Sequence, residues 1–149
     1  MARWGVVIVL LALAGAWLYK TCELPNSPAT FVEGEFGEVS LMIELAKSTG
    51  DRERGLAGRS IINDNEAMLF VFDEPGMYSF WMKDMLVPID MFWLDDKRQV
   101  VSIMANVSPE TYPHVFYPSV PARYVLETAA GFGERYHIAT GTVLELQKF

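Results

Sequence analysis

The sequence predicts a mainly β fold: a compact antiparallel β-sandwich or barrel with one or two short helices, preceded by an N-terminal hydrophobic helix. Three observations carry this. Short runs rich in Val, Ile, Leu, Phe and Met recur between residues 39 and 146, punctuated by Gly, Pro, Asn and Asp. Only two stretches have helical character, and both are short. One uncharged run, residues 4–19, is apolar enough to enter a membrane.

The N-terminus opens with Met1-Ala2-Arg3, a short basic start, and then sixteen residues without a charge. Two readings compete. A cleavable signal peptide has an apolar region of about 7–15 residues and a small-x-small exit, which Ala12-Leu13-Ala14 and Ala14-Gly15-Ala16 both supply. An uncleaved anchor needs about 20 residues for a core of about 30 Å. Snorkelling by Arg3 and Lys20 covers the shortfall, and Trp4, Trp17 and Tyr19 resemble an interfacial aromatic belt. The aromatic ends tip the reading toward an anchor. Either way the rest of the chain is expected outside the cytoplasm: single-pass at the cell membrane, or periplasmic or secreted after cleavage. The chain thus divides into a signal-anchor or signal peptide (1–20), a tether with Pro25 and Pro28 (21–30), and one β-rich domain (31–149). Cys22 is the sole cysteine, which rules out an internal disulfide. Tyr19-Lys20-Thr21 before it lacks the Leu and small residues of a lipid-attachment signal, so an exposed thiol in the tether is the simpler reading.

In the body, strands are expected at 39–45 (VSLMIEL) and 67–72 (AMLFVF), the latter ending in an Asp73-Glu74-Pro75-Gly76 turn. Further strands follow at 78–82 (YSFWM) and 89–94 (IDMFWL), with a turn at Asp95-Asp96-Lys97 leading into 100–104. Residues 123–128 (RYVLET) and 142–146 (TVLEL) complete the set. Short helices are expected at 50–58 and 129–136, and a proline-marked loop at 108–121.

Charge excludes one class of partner. Nineteen acids face twelve bases, for a net charge of −7; setting aside residues 1–21, with Arg3 and Lys20, leaves −9. With no basic stripe to offset this, the surface repels phosphate backbones, and nucleic acid is not an expected partner. No cofactor motif is present. His114 and His137 lie far apart and no Cys-x-x-Cys occurs, so no metal site is expected. Met77, Met82, Met85 and Met91 crowd together, and thioethers suit Cu(I), but methionine also fills cores, and Met82 and Met91 sit in strand patterns.

The candidate site residues are Trp81, Lys83, Asp84, Asp90, Arg123 and Glu127. Period-two alternation puts Asp90 beside Phe92 and Leu94 on one face, with Ile89, Met91 and Trp93 on the other. Asp90 is therefore desolvated, and Lys83 or Arg123 is the expected partner. The pair reads either as a charged cluster at an aromatic pocket or as a structural ion pair. Arg123, Val125 and Glu127 share a face; an inward Arg123 would grip a carboxylate or phosphate, an outward one would be solvated. Arg52, Glu53, Arg54 and Arg59 read as the solvated face of the first helix, with Leu56 inward and Gly55 packed close to a strand.

Ordered blocks then point to a family. Arg54-Gly55-Leu56-Ala57-Gly58-Arg59, Met68-Leu69-Phe70-Val71-Phe72, Glu74-Pro75-Gly76, Phe80-Trp81-Met82-Lys83, Pro88-Ile89-Asp90, Tyr124-Val125-Leu126-Glu127 and Ile138-Ala139-Thr140-Gly141 together resemble the domain of unknown function 192 family, also called uncharacterised protein family 0127. The resemblance spans about residues 39–147 and implies a compact β-sandwich or barrel with one or two short helices. The chain departs from it at Asp84-Met85, where the family pattern has Asn-Thr after the lysine. The expected function is a non-enzymatic envelope module that binds a small molecule, polymer or peptide in an aromatic groove. The alternatives are a hydrolase or lyase using Asp90 or Glu127 with Lys83 or Arg123, and a membrane-tethered assembly partner contacting others through 108–121.

Overall fold

The computed structural model describes residues 29–147. The apolar segment 4–19, with the hydrophobic helix expected there, and Cys22 lie outside the described residues. Among those that are described, no helix is long and apolar enough to cross a membrane.

Among the described residues nine strands form: β1 (Thr30–Phe36), β2 (Val39–Ala46), β3 (Glu66–Gly76), β4 (Phe80–Trp81), β5 (Ile89–Leu94), β6 (Val100–Val107), β7 (Val115–Phe116), β8 (Ala122–Ala129) and β9 (Leu144–Leu146). Two short helices, α1 (Thr49–Arg54) and α2 (Phe132–Arg135), accompany them. Seven strands make one sheet in the order β6-β5-β8-β3-β2-β1-β9, while β4 and β7 pair separately. The mainly β expectation holds, but the sheet is not purely antiparallel: β2 and β3 run parallel. The chain must therefore cross from one end of the sheet to the other between them, and α1 lies on that crossover.

The sheet curls into a half-barrel. Phe36 on β1 packs edge-on against Phe92 on β5 at 5.1 Å, although three strands separate them in the sheet. At one end the two edges meet: Gln99 bridges Val143, and Val100 N–H donates to Thr142 O and Leu144 N–H to Arg98 O, each at 2.9 Å. Inside the curl lie Phe36, Ile43, Leu69, Phe92, Leu126 and Phe132. On the outer face, Met68, Phe70, Met82, Met91, Trp93 and Val125 form a second core, beneath α1 and the β4–β7 pair.

Strand β1 was not among the expected strands. Glu33, Gly34 and Glu35 break up its apolar pattern, yet Val32, Gly34 and Phe36 turn inward. Gly34 is required by close approach, because a Cβ there would stand 2.7 Å from Glu145 O on β9. The turn expected at residues 73–76 is instead an irregular continuation of β3, its register to β8 shifting between Val71 and Gly76. Strand β5 coincides with its expected bounds and is buried on both faces.

Candidate functional site

A groove of about 1010 Å³ opens on the outer face of the sheet, between α1 and the segment from Met77 to Met85. Its α1 wall is set by Ser48, whose hydroxyl accepts from Asp51 N–H while the Asp51 side chain reaches back to the cap. Gly55 ends the helix at φ 52, in a conformation that L side chains rarely adopt, and a Cβ there would sit 3.3 Å from Phe70. Close packing of Gly55 on a strand, and the inward Leu56, match the sequence reading.

The opposite wall is aromatic. Buried Trp93 donates its indole N–H to Tyr78 O at 2.8 Å and meets Phe80 edge-on at 6.0 Å. Phe80 in turn stands edge-on to Phe70 at 4.8 Å, and Tyr78 stacks on Phe72 at 3.6 Å. Cations sit over rings on both rims: Arg52 lies 5.3 Å from the Phe72 centroid and Lys83 5.8 Å from that of Trp81. Arg52 also donates to Val71 O (3.0 Å) and Lys47 O, so it braces the wall rather than facing bulk water as expected. Gly58 N–H donates to Asp84 O at 2.9 Å and ties the two walls together.

The floor holds the chemistry. In register across β2, β3, β8 and β5 stand Glu44, Met68, Glu127 and Met91. Glu127 is only 4% exposed and lines the groove. Burial pushes its carboxyl up to about 8, and the Arg59 guanidinium pulls weakly the other way. Arg59 is itself bonded to the buried Glu44, so this residue, expected on a solvated helix face, holds an ion pair at the edge of the outer core. Sequence reading missed this pair, although a lone acid in the apolar run 39–45 was the signal for it: a desolvated carboxylate needs a cation. Fully buried Met68, Met82 and Met91 pack in the outer core.

Of the six candidate residues, Trp81, Lys83, Asp84 and Glu127 line the groove. Asp90 and Arg123 do not. Asp90 faces the interior of the curl, on the opposite side of the sheet from Glu127. The expected cation partner, Lys83 or Arg123, is absent. Its carboxylate instead accepts three backbone N–H groups, from Asn106 (2.7 Å), Gly131 (3.1 Å) and Gly133 (2.8 Å). Aligned amides satisfy a buried carboxylate as a cation would. Arg123 points outward, donating to Asp96 at 3.2 Å and to Phe72 O at 3.3 Å. No group of three or more His, Cys, Asp or Glu arranged for a metal occurs among the described residues. Tyr112 and Tyr117, on the 108–121 loop, are exposed, and Tyr112 meets Trp81 edge-on at 6.0 Å.

Two solved structures share this architecture. One, from Sinorhizobium meliloti 1021 and described as a candidate transcription regulator, aligns with a TM-score of 0.76 and 26% identity over 81% of this chain and 97% of its own. The other, a protein of unknown function from Novosphingobium aromaticivorans DSM 12444, aligns with a TM-score of 0.75 and 28% identity over 81% and 89%. No curated protein matches. The sequence model of the family described as DUF192, uncharacterized ACR, matches residues 32–146 and with them both walls and the floor of the groove, so the chain belongs to the DUF192 family.

Proposed function

We propose that the domain is a binding module whose groove takes a small molecule or a segment of a polymer or peptide. The observation that carries this is the groove itself: about 1010 Å³, walled by Phe70, Phe72, Tyr78, Phe80 and Trp81, with a buried carboxyl at its floor. Ligand sites have this size and this mixture of apolar walls with a few polar groups. Trp81 is 51% exposed, leaving its ring available for stacking. Of the groups that acid–base chemistry would draw on, Asp90 is shut inside the curl and Arg123 faces solvent, while Glu127 and Lys83 both line the groove. The acidic surface disfavours nucleic acid for this chain, whatever its relative from Sinorhizobium does. In a titration of the full chain with peptides and oligosaccharides, ligand-induced shifts in tryptophan fluorescence should vanish in Trp81→Ala/Lys83→Ala while circular dichroism stays unchanged. Shifts that persist in the double variant would place binding elsewhere.

The same proposal includes an address. Residues 4–19 hold the domain at the outer face of a membrane, a reading supported by the uncharged stretch and its basic and aromatic flanks. Deleting residues 1–20 should move the protein from the membrane pellet to the soluble fraction; a full chain that is already soluble and uncleaved would contradict it.

A further inference from the structure

Glu127 uses none of its hydrogen-bonding capacity within the protein: among the described residues no hydrogen bond reaches its carboxyl. Every side-chain N or O atom wholly shut from solvent there does have a partner. The Glu127 oxygens therefore keep a sliver of exposure, and the space they border is the groove. The charges around them are accounted for. Arg59, from the crossover, is bonded to Glu44 of β2. Flanking strands present Met68 and Met91, which carry none. Helix α1 brings Arg52, Glu53 and Arg54 to the rim, and the loop after β4 brings Lys83 and Asp84. A carboxyl so placed keeps its proton at neutral pH, since burial pushes it to about 8.

A protonated carboxyl offers one donor and one acceptor side by side. A trans peptide bond does not present its N–H and C=O on one side, whereas a cyclic amide does. Flat rings also suit the aromatic wall. Building on the binding reading above, we propose that the groove takes a flat ring with a cyclic-amide edge, and that Glu127 meets this edge with one oxygen donating and the other accepting.

Three probes test it on the full chain by titration calorimetry: 2-quinolinone, its N-methyl derivative, and quinoline, which lacks the amide edge. 2-Quinolinone should bind about tenfold tighter than the other two, a difference of one good hydrogen-bonded pair. Glu127→Gln, which keeps adjacent donor and acceptor, should hold that affinity within about threefold, and Glu127→Ala should lose about tenfold. Raising the pH from 7 to 9 should weaken 2-quinolinone binding about tenfold in the native chain and leave Glu127→Gln unaffected. Equal binding of all three probes, indifference to Glu127→Ala and pH, or no binding at all overturns the cyclic-amide reading. Quinoline binding that is lost in Trp81→Ala/Lys83→Ala would leave the binding groove standing even then.

Discussion

Asp90 and Glu127 show how two carboxyls on neighbouring strands acquire different lives. They differ by one step of side-chain alternation: Asp90 pairs with Thr128 and faces the interior, while Glu127 pairs with Met91 and faces the groove. Three amide donors hold Asp90, and two of them belong to residues in left-handed conformations, Asn106 (φ 52) and Gly131 (φ 77). The carboxylate thereby fixes the end of β6 and the start of α2 against β5. Asp90→Ala would leave three N–H groups without partners, the one at Gly133 buried and those at Asn106 and Gly131 part-buried, and the expected loss is about 3 kcal/mol of unfolding free energy, read from urea denaturation. Asp90→Asn, which retains one accepting oxygen, should lose less. A loss below about 1 kcal/mol in Asp90→Ala would mean that water replaces the carboxylate.

Among the elements, those whose stability comes from their own apolar pattern were legible in the sequence. Strand β5, buried on both faces, reads as IDMFWL from end to end. Strands β2 and β8 each extend one residue beyond expectation at one or both ends, because pairing recruits neighbours that carry little signal. The sequence hides elements that exist because of partners. Strand β1 is held between β2 and β9, and its Gly34 is informative only once Glu145 and Leu146 are beside it. Strand β7 is two residues long and depends on β4. The parallel β2–β3 pairing is non-local, so no short window reveals it. The site follows the same division. Trp81, Lys83, Asp84 and Glu127 were legible one by one, as candidates alongside Asp90 and Arg123, but only the curl brings these four to one groove and puts Asp90 on the other side of the sheet. Arg59 was misread because helical spacing speaks for solvent, while its partner Glu44 lies fifteen residues away on β2.

For the molecule as a whole, Glu127 couples folding to pH. In the unfolded chain its carboxyl ionises near the usual 4.5, whereas in the fold it keeps its proton to about 8. Between those values the unfolded state binds fewer protons than the native one, so this group's contribution falls steadily as pH rises and levels off above 8. Across that window the loss should amount to several kcal/mol. Urea midpoints for the native chain should decline from pH 5 to pH 8 more steeply than those of Glu127→Gln, and the variant should be the more stable of the two at pH 8. Parallel slopes would show that Glu127 is ionised in the fold.

The parallel pairing of β2 with β3 has one more consequence. Any such pair obliges the chain to travel back along the sheet, and here the returning stretch, residues 47–65, carries α1, Arg52 and Arg59. One wall of the groove is thus an obligatory return path that contributes no strand to the sheet. Arg52, Gly55, Leu56 and Arg59 of this stretch are tied to the strands beneath, so a rewritten return path must keep those four. The half-barrel serves as a fixed chassis, and grafting this stretch between relatives would change the groove's lining while the sheet stays in place.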